Sequence, residues 1–149
     1  MARNHKKHLT HWARRIILAL FLVPTAAQAG EPTTLQTIMQ GLRDNLVEIS
    51  DGLLTDDFEL VDRGATAIAN HPRIPPEQVQ LVAKELGQEM PVFKQFDTRV
   101  HDLALEISAA AKSEVRAAAV SGFQQMVDGC LACHAGYKDR VAGVLRGSN

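Results

Sequence analysis

Val120-Ser-Gly-Phe123-Gln-Gln-Met126-Val127-Asp-Gly-Cys130-Leu131-Ala132-Cys133-His134-Ala-Gly-Tyr137-Lys138-Asp-Arg-Val141-Ala-Gly-Val144 decides the fold of this chain. Val120, Phe123, Val127, Cys130, His134, Tyr137, Val141 and Val144 recur at alternating steps of three and four, the pattern of one apolar stripe on a packed α-helix. Inside that stripe, Cys130-Leu-Ala-Cys133-His134 reads as C-x-x-C-H, the attachment site of a c-type haem. On a helix these three residues stand at i, i+3 and i+4, so two thiols and an imidazole share one face and can meet the same flat ligand.

Working outward, the preceding stretch carries the same rhythm in Phe93, Phe96, Val100, Leu103, Ile107 and Ala110. One helix from Pro91 to Arg146 would run roughly 84 Å at ~1.5 Å per residue, too long for so small a domain. The apolar register also slips by one residue near Lys112-Ser113, which predicts a break there with Ser113 capping the last helix. Upstream, Leu35, Met39, Leu42, Leu46, Ile49 and Leu53 form a first stripe, opened by a Thr33–Gln36 capping box and closed at Gly52. Phe58, Val61, Ala65 and Ile68 form a second, capped by Thr55 or Asp56 and stopped at Asn70-His71-Pro72. After a short loop to Pro75, a short helix spans Pro76 to Leu86 with Gly87 as its stop, and Pro91 opens the next. No stretch reads as a strand. The expected architecture is all-α, an antiparallel four-helix bundle in which Cys130 and His134 hold seam positions and haem lies sandwiched inside one end.

Residues 1–29 contain five Lys or Arg, no Asp or Glu, and the apolar run Ile16 to Val23 before Ala27-Gln28-Ala29. This predicts a signal peptide cleaved before Gly30, too short in its apolar core to be a membrane span, and a periplasmic mature domain over residues 30–149. Removing the leader moves the formal net charge from −1 to −6, because 11 Lys or Arg then face 17 Asp or Glu. An acidic domain argues against nucleic acid as a partner and leaves room for redox partner proteins steered by charge.

The chain's two cysteines both lie in the motif, so a disulfide framework is ruled out. A thioredoxin-like pair expects an α/β setting, and a zinc site expects a second close pair of ligands; neither is present. The chain's Ser, His and carboxylate residues are scattered, with no nucleophile beside a base, and the reading is a carrier rather than an enzyme. As a haem ligand, His134 would have its other ring nitrogen held by a backbone carbonyl or water. Met90 and Met126 read as structural, Met126 falling beside the seam, while His71 and His101 read as loop or solvated residues. Leu54 and Leu60 on the outer faces of the first two helices offer apolar surface for a homodimer.

Cys130-Leu-Ala-Cys133-His134-Ala-Gly-Tyr137-Lys138 resembles the C-x-x-C-H-x-x-Y-[K/R] ending of the cytochrome c′ family, the class II c-type cytochromes. Met39-Gln-Gly-Leu-Arg-Asp-Asn-Leu46 is similar to the segment that faces the open side of the iron in that family. The resemblance covers the mature chain in outline and implies one covalent haem c held by Cys130 and Cys133, with His134 as proximal iron ligand. Met39 takes the place of the sixth ligand of low-spin, electron-transferring members; the alternative it leaves open is a five-coordinate haem that binds nitric oxide or carbon monoxide. Tyr137 and Lys138 would border the haem edge and Arg43 would pair with a propionate. One departure is Leu35, where the family often carries Arg.

Overall fold

The computed structural model describes residues 33–147, which form helices α1 (Leu35–Thr55), α2 (Phe58–Ala69), α3 (Pro76–Leu86), α4 (Met90–Lys112) and α5 (Arg116–Arg146). The expected signal peptide lies outside the described residues. Among those residues there is no strand, and no helix is long and apolar enough to cross a membrane.

The helix ends show how local chemistry sets the boundaries. The capping box of α1 sits one residue later than Thr33–Gln36: the Thr34 hydroxyl accepts from the Thr37 N–H, and the Thr37 hydroxyl accepts from the Thr34 N–H. Gly52 does not end α1. The helix runs on to Thr55 and stops at Asp56, which adopts the left-handed conformation with φ 62°. Gly52 is instead a point of close approach, since a Cβ there would stand 2.8 Å from both the Asp57 carbonyl oxygen and Val61 Cγ2. With Asp56 used by the turn, Asp57 caps α2, its carboxylate accepting from the Leu60 N–H.

Pro76 opens α3 and Gly87, at φ 51°, closes it; a single 3-10 turn, Gly87–Glu89, then leads into α4 at Met90, one residue ahead of Pro91. The break between α4 and α5 falls where the register slips. Ser113 ends α4 rather than capping α5, Glu114 takes a positive φ of 53°, and α5 begins at Arg116 with no side-chain cap.

Packing runs in series: α1 lies along α2, α2 along α4 and α4 along α5, while α3 lies on α5 and α1 meets α5 only over a short stretch. The main core is Ile49, Val61, Ala65, Ile68, Leu103, Ala104, Ile107, Ala111 and Met126, drawn from α1, α2, α4 and α5. A smaller cluster of Leu35, Val82, Leu86 and Val141 joins α3 to one end of α1 and α5. Between α2 and α4, the buried Ser108 hydroxyl donates to the Asp62 carboxylate, which also pairs with Lys112. That hydroxyl, helped by Thr66 and Lys112, holds the Asp62 carboxyl below its ordinary value against the opposing effect of burial. On the outer surface Leu54 is 81% exposed, whereas Leu60 is half-buried.

Candidate functional site

The site is positioned by the register of α5, and here the large apolar residues mislead. Its buried positions are Ala119, Gly122, Met126 and Val141, with Cys130, Cys133 and Tyr137 half-buried between them. Small residues face α4 because they allow close approach: a Cβ on Gly122 would lie 2.7 Å from Ile107 Cγ1. Val120, Phe123 and Val127 are displaced to the flank, and Met126, expected beside the seam, is fully buried. A strict heptad series drifts around a straight helix by ~20° per repeat, so the expected seam and the buried one part by a residue. His134 consequently stands exposed at the margin rather than inside the bundle.

In α1 the expected stripe holds at Leu35 and Ile49, both buried, and at the half-buried Leu42, Leu46 and Leu53, and departs only at Met39. Ile38, 4% exposed, takes the inward position, and Met39 is 39% exposed. Both displaced residues turn toward the seam that α1 and α5 leave open. A groove of about 490 Å³ runs there, lined by Leu35 and Met39 from α1, Gln78 from α3, Phe93 from α4, and Cys133, His134, Tyr137 and Lys138 from α5. Val141, Leu145 and Arg146 continue its α5 wall. Its volume lies within the ~300–1,000 Å³ of small-molecule sites.

The walls are fixed from several sides. Tyr137 packs edge-on against Phe93 and Phe96, with ring centroids 5.4 and 6.0 Å away. Gln78 Oε1 accepts from the Leu35 N–H at 2.7 Å, tying α3 to the start of α1. Arg140 reaches Glu89 and Glu85, tying α5 to α3 and the turn that follows it.

Burial pushes the Cys130 thiol above its ordinary range; burial, then the neighbouring Cys130 and Asp97, do the same to Cys133. Both cysteines are free, and thiols shifted upward are poor redox nucleophiles and poor metal ligands, which need the thiolate. Among the described residues no three His, Cys, Asp or Glu side chains gather where they could hold a metal ion.

Cys133, His134, Met39, Tyr137 and Lys138, all singled out from sequence, line one groove. Cys130 does not line it: one turn earlier on α5, it is half-buried against the main core. Arg43 does not reach it either; it is exposed and pairs with its neighbour Asp44. His71 lies in the loop after α2, as expected, half-buried with its ring between the Pro72 carbonyl at 2.8 Å and Asp97 at 3.5 Å. His101 is solvated as expected, beside Asp102. No described residue hydrogen-bonds the His134 ring, so among the described residues no carbonyl fills the role expected of a carbonyl or water.

These observations bear on the haem that the motif implies. An apolar slot with one unencumbered imidazole, one exposed thioether and a cysteine at its edge has the donor chemistry for a flat iron macrocycle. Sequence reasoning missed Gln78 and Arg146. Gln78 gave no local signal, because only tertiary packing brings α3 to the start of α1. Arg146 was readable: Lys138, Ala142 and Arg146 recur at steps of four along one flank of α5. A second cavity of about 260 Å³, between α1 and the loop after α2, contains neither cysteine nor Met39. No protein-family model, curated protein or solved structure matches this chain.

Proposed function

We propose that this chain is a periplasmic c-type cytochrome that carries electrons, with one haem c attached through Cys130 and Cys133 and an architecture like that of the cytochrome c′ family. The observation that carries the reading is that Met39 of α1 and Cys133 and His134 of α5 line one groove, although they come from opposite ends of the described chain. Gly52 abutting Val61 and Gly64 abutting Ile49 are the contacts that an antiparallel α1–α2 pair makes, which supports the four-helix bundle expected of such a protein.

Haem supplies a one-electron ferric–ferrous couple. The chain's part is to bind and tune it. His134 would hold the iron through an imidazole nitrogen from one wall and Met39 through its thioether from the other, and thioether ligation would favour the ferrous state relative to two imidazoles. Leu35, Phe93, Tyr137 and Val141 keep water from the faces of the slot, which also favours the less charged state of the iron. Electrons pass to and from redox partner proteins, and no bond to a substrate is made or broken.

A second reading is supported by one observation: Met39 is 39% exposed and belongs to neither apolar cluster, so little packing holds its thioether toward a ligand. In that reading the sixth position takes nitric oxide or carbon monoxide. The absorption spectrum of the ferric protein separates the two. Electron transfer with Met39 ligation gives low-spin bands with a sulfur-to-iron charge-transfer feature, and Met39→Ala removes that feature. A high-spin spectrum left unchanged by Met39→Ala assigns the protein to gas binding.

A further inference from the structure

The charge of the groove differs from that of the chain around it. The sequence from Gly30 onward carries 17 Asp or Glu against 11 Lys or Arg, yet the groove lining contains two cations, Lys138 and Arg146, and no carboxylate. Among the described residues neither cation has a hydrogen-bond or ion-pair partner. Outside the groove Arg43, Arg63, Lys112, Arg116 and Arg140 each have a carboxylate partner, while Arg73, Lys84 and Lys94 have none among the described residues. Both cations lie on the C-terminal side of His134 along α5, separated by Ala142 on the same flank and by about 12 Å of helix at ~1.5 Å per residue. The groove thus has a thiol and imidazole end and, from about one to about three turns further along α5, a cationic flank with unpaired donors.

An apolar slot with acidic groups excluded and cations left unpaired at one end suits an amphiphile whose carboxylates project from one edge. We infer that Lys138 and Arg146 form a carboxylate cradle that receives the propionates of the haem and sets its direction in the groove, with the thioether-bearing edge toward Cys130 and Cys133. The inference rests on the haem reading proposed above. It assigns the propionates to the end of α5, where Arg146 stands, and away from Arg43, which Asp44 already neutralises.

The test uses the full-length chain with both cysteines replaced, Cys130→Ala and Cys133→Ala, titrated with haem and with haem dimethyl ester, whose carboxylates are masked. The cradle predicts that the ester binds about tenfold more weakly, and that adding Lys138→Gln and Arg146→Gln abolishes most of that difference. Equal binding of acid and ester by a chain that takes up haem overturns the cradle and leaves the haem reading intact. If the cysteine-free chain does not fold or take up haem, the covalently loaded wild type decides. There Lys138→Gln and Arg146→Gln each lower the reduction potential, since a cation that opposes the ferric charge is lost, and Arg43→Gln shifts it less. No shift at Arg146, or a larger one at Arg43, overturns the cradle. A wild-type chain that acquires no haem in a haem-attaching host refutes the underlying reading itself.

Discussion

The middle of the bundle and the α1–α5 groove are built from the same kinds of helix and end up in opposite states. In the middle, Gly52, Gly64 and Gly122 bring helices so close that a Cβ on any of them would meet a neighbour at 2.7–2.9 Å. Ile49, Val61, Leu103, Ile107 and Met126 are there completely buried. At the groove, α1 and α5 touch only briefly, and Met39 and His134 are left exposed beside Phe93, Tyr137 and Val141. The difference teaches that one end of the molecule is finished by its own side chains, while the other has apolar walls and unpaired donors that the chain does not complete.

Substitutions can break or sharpen that contrast. The largest effect is expected from Leu103→Ala, a fully buried side chain of the main core, at about 2–5 kcal/mol of unfolding free energy. Denaturant titration should show this loss equally in haem-free and haem-loaded protein. Val141→Ala, on the groove wall, should cost about 1.5 kcal/mol at ~0.8 kcal/mol per buried carbon. Its loss should be greater in the loaded protein, where the wall has something to pack against. If Val141→Ala proves as costly as Leu103→Ala without haem, the two regions are not different in kind.

The smallest effect concerns the polar link between α2 and α4. Ser108→Ala should cost about 1 kcal/mol at neutral pH, the worth of one hydrogen bond to a partly exposed carboxylate. The Ser108 hydroxyl is the largest influence holding the Asp62 carboxyl below its ordinary 3.8. A depressed carboxyl stabilises the fold above its unfolded value and stops doing so as pH falls through its folded one. The deficit of Ser108→Ala should therefore be full at neutral pH and shrink below about pH 4, which acid titrations of both proteins will show. A deficit independent of pH would mean that the hydroxyl matters only for packing.

Much of this was legible in the amino-acid order, and the failures share a cause. Helix number, the Asn70-Pro72 stop, the Gly87 stop and the register break near Ser113 were readable because Pro, Gly and apolar period act locally. The face of α5 was not, because the stripe was drawn through the bulky Val120, Phe123 and Val127. Close packing against Ile107 rewards Ala119 and Gly122, and which side chain must be small is known only when the facing helix is known. Tertiary placement likewise decides that Ile38, and not Met39, is buried. The motif residues were found without that knowledge, since their spacing carries the chemistry; whether Arg43 or Arg146 faces the groove depended on tertiary placement.

Cys130 and Cys133 are proposed to hold haem through covalent bonds. The most direct measurement is the absorbance and mass of the chain after export from a haem-attaching host, taken under denaturing and reducing conditions. Retained haem absorbance with a mass increase of one haem, lost when both cysteines are changed to Ala, is the predicted result. A colourless denatured chain with the mass of the bare polypeptide would contradict it.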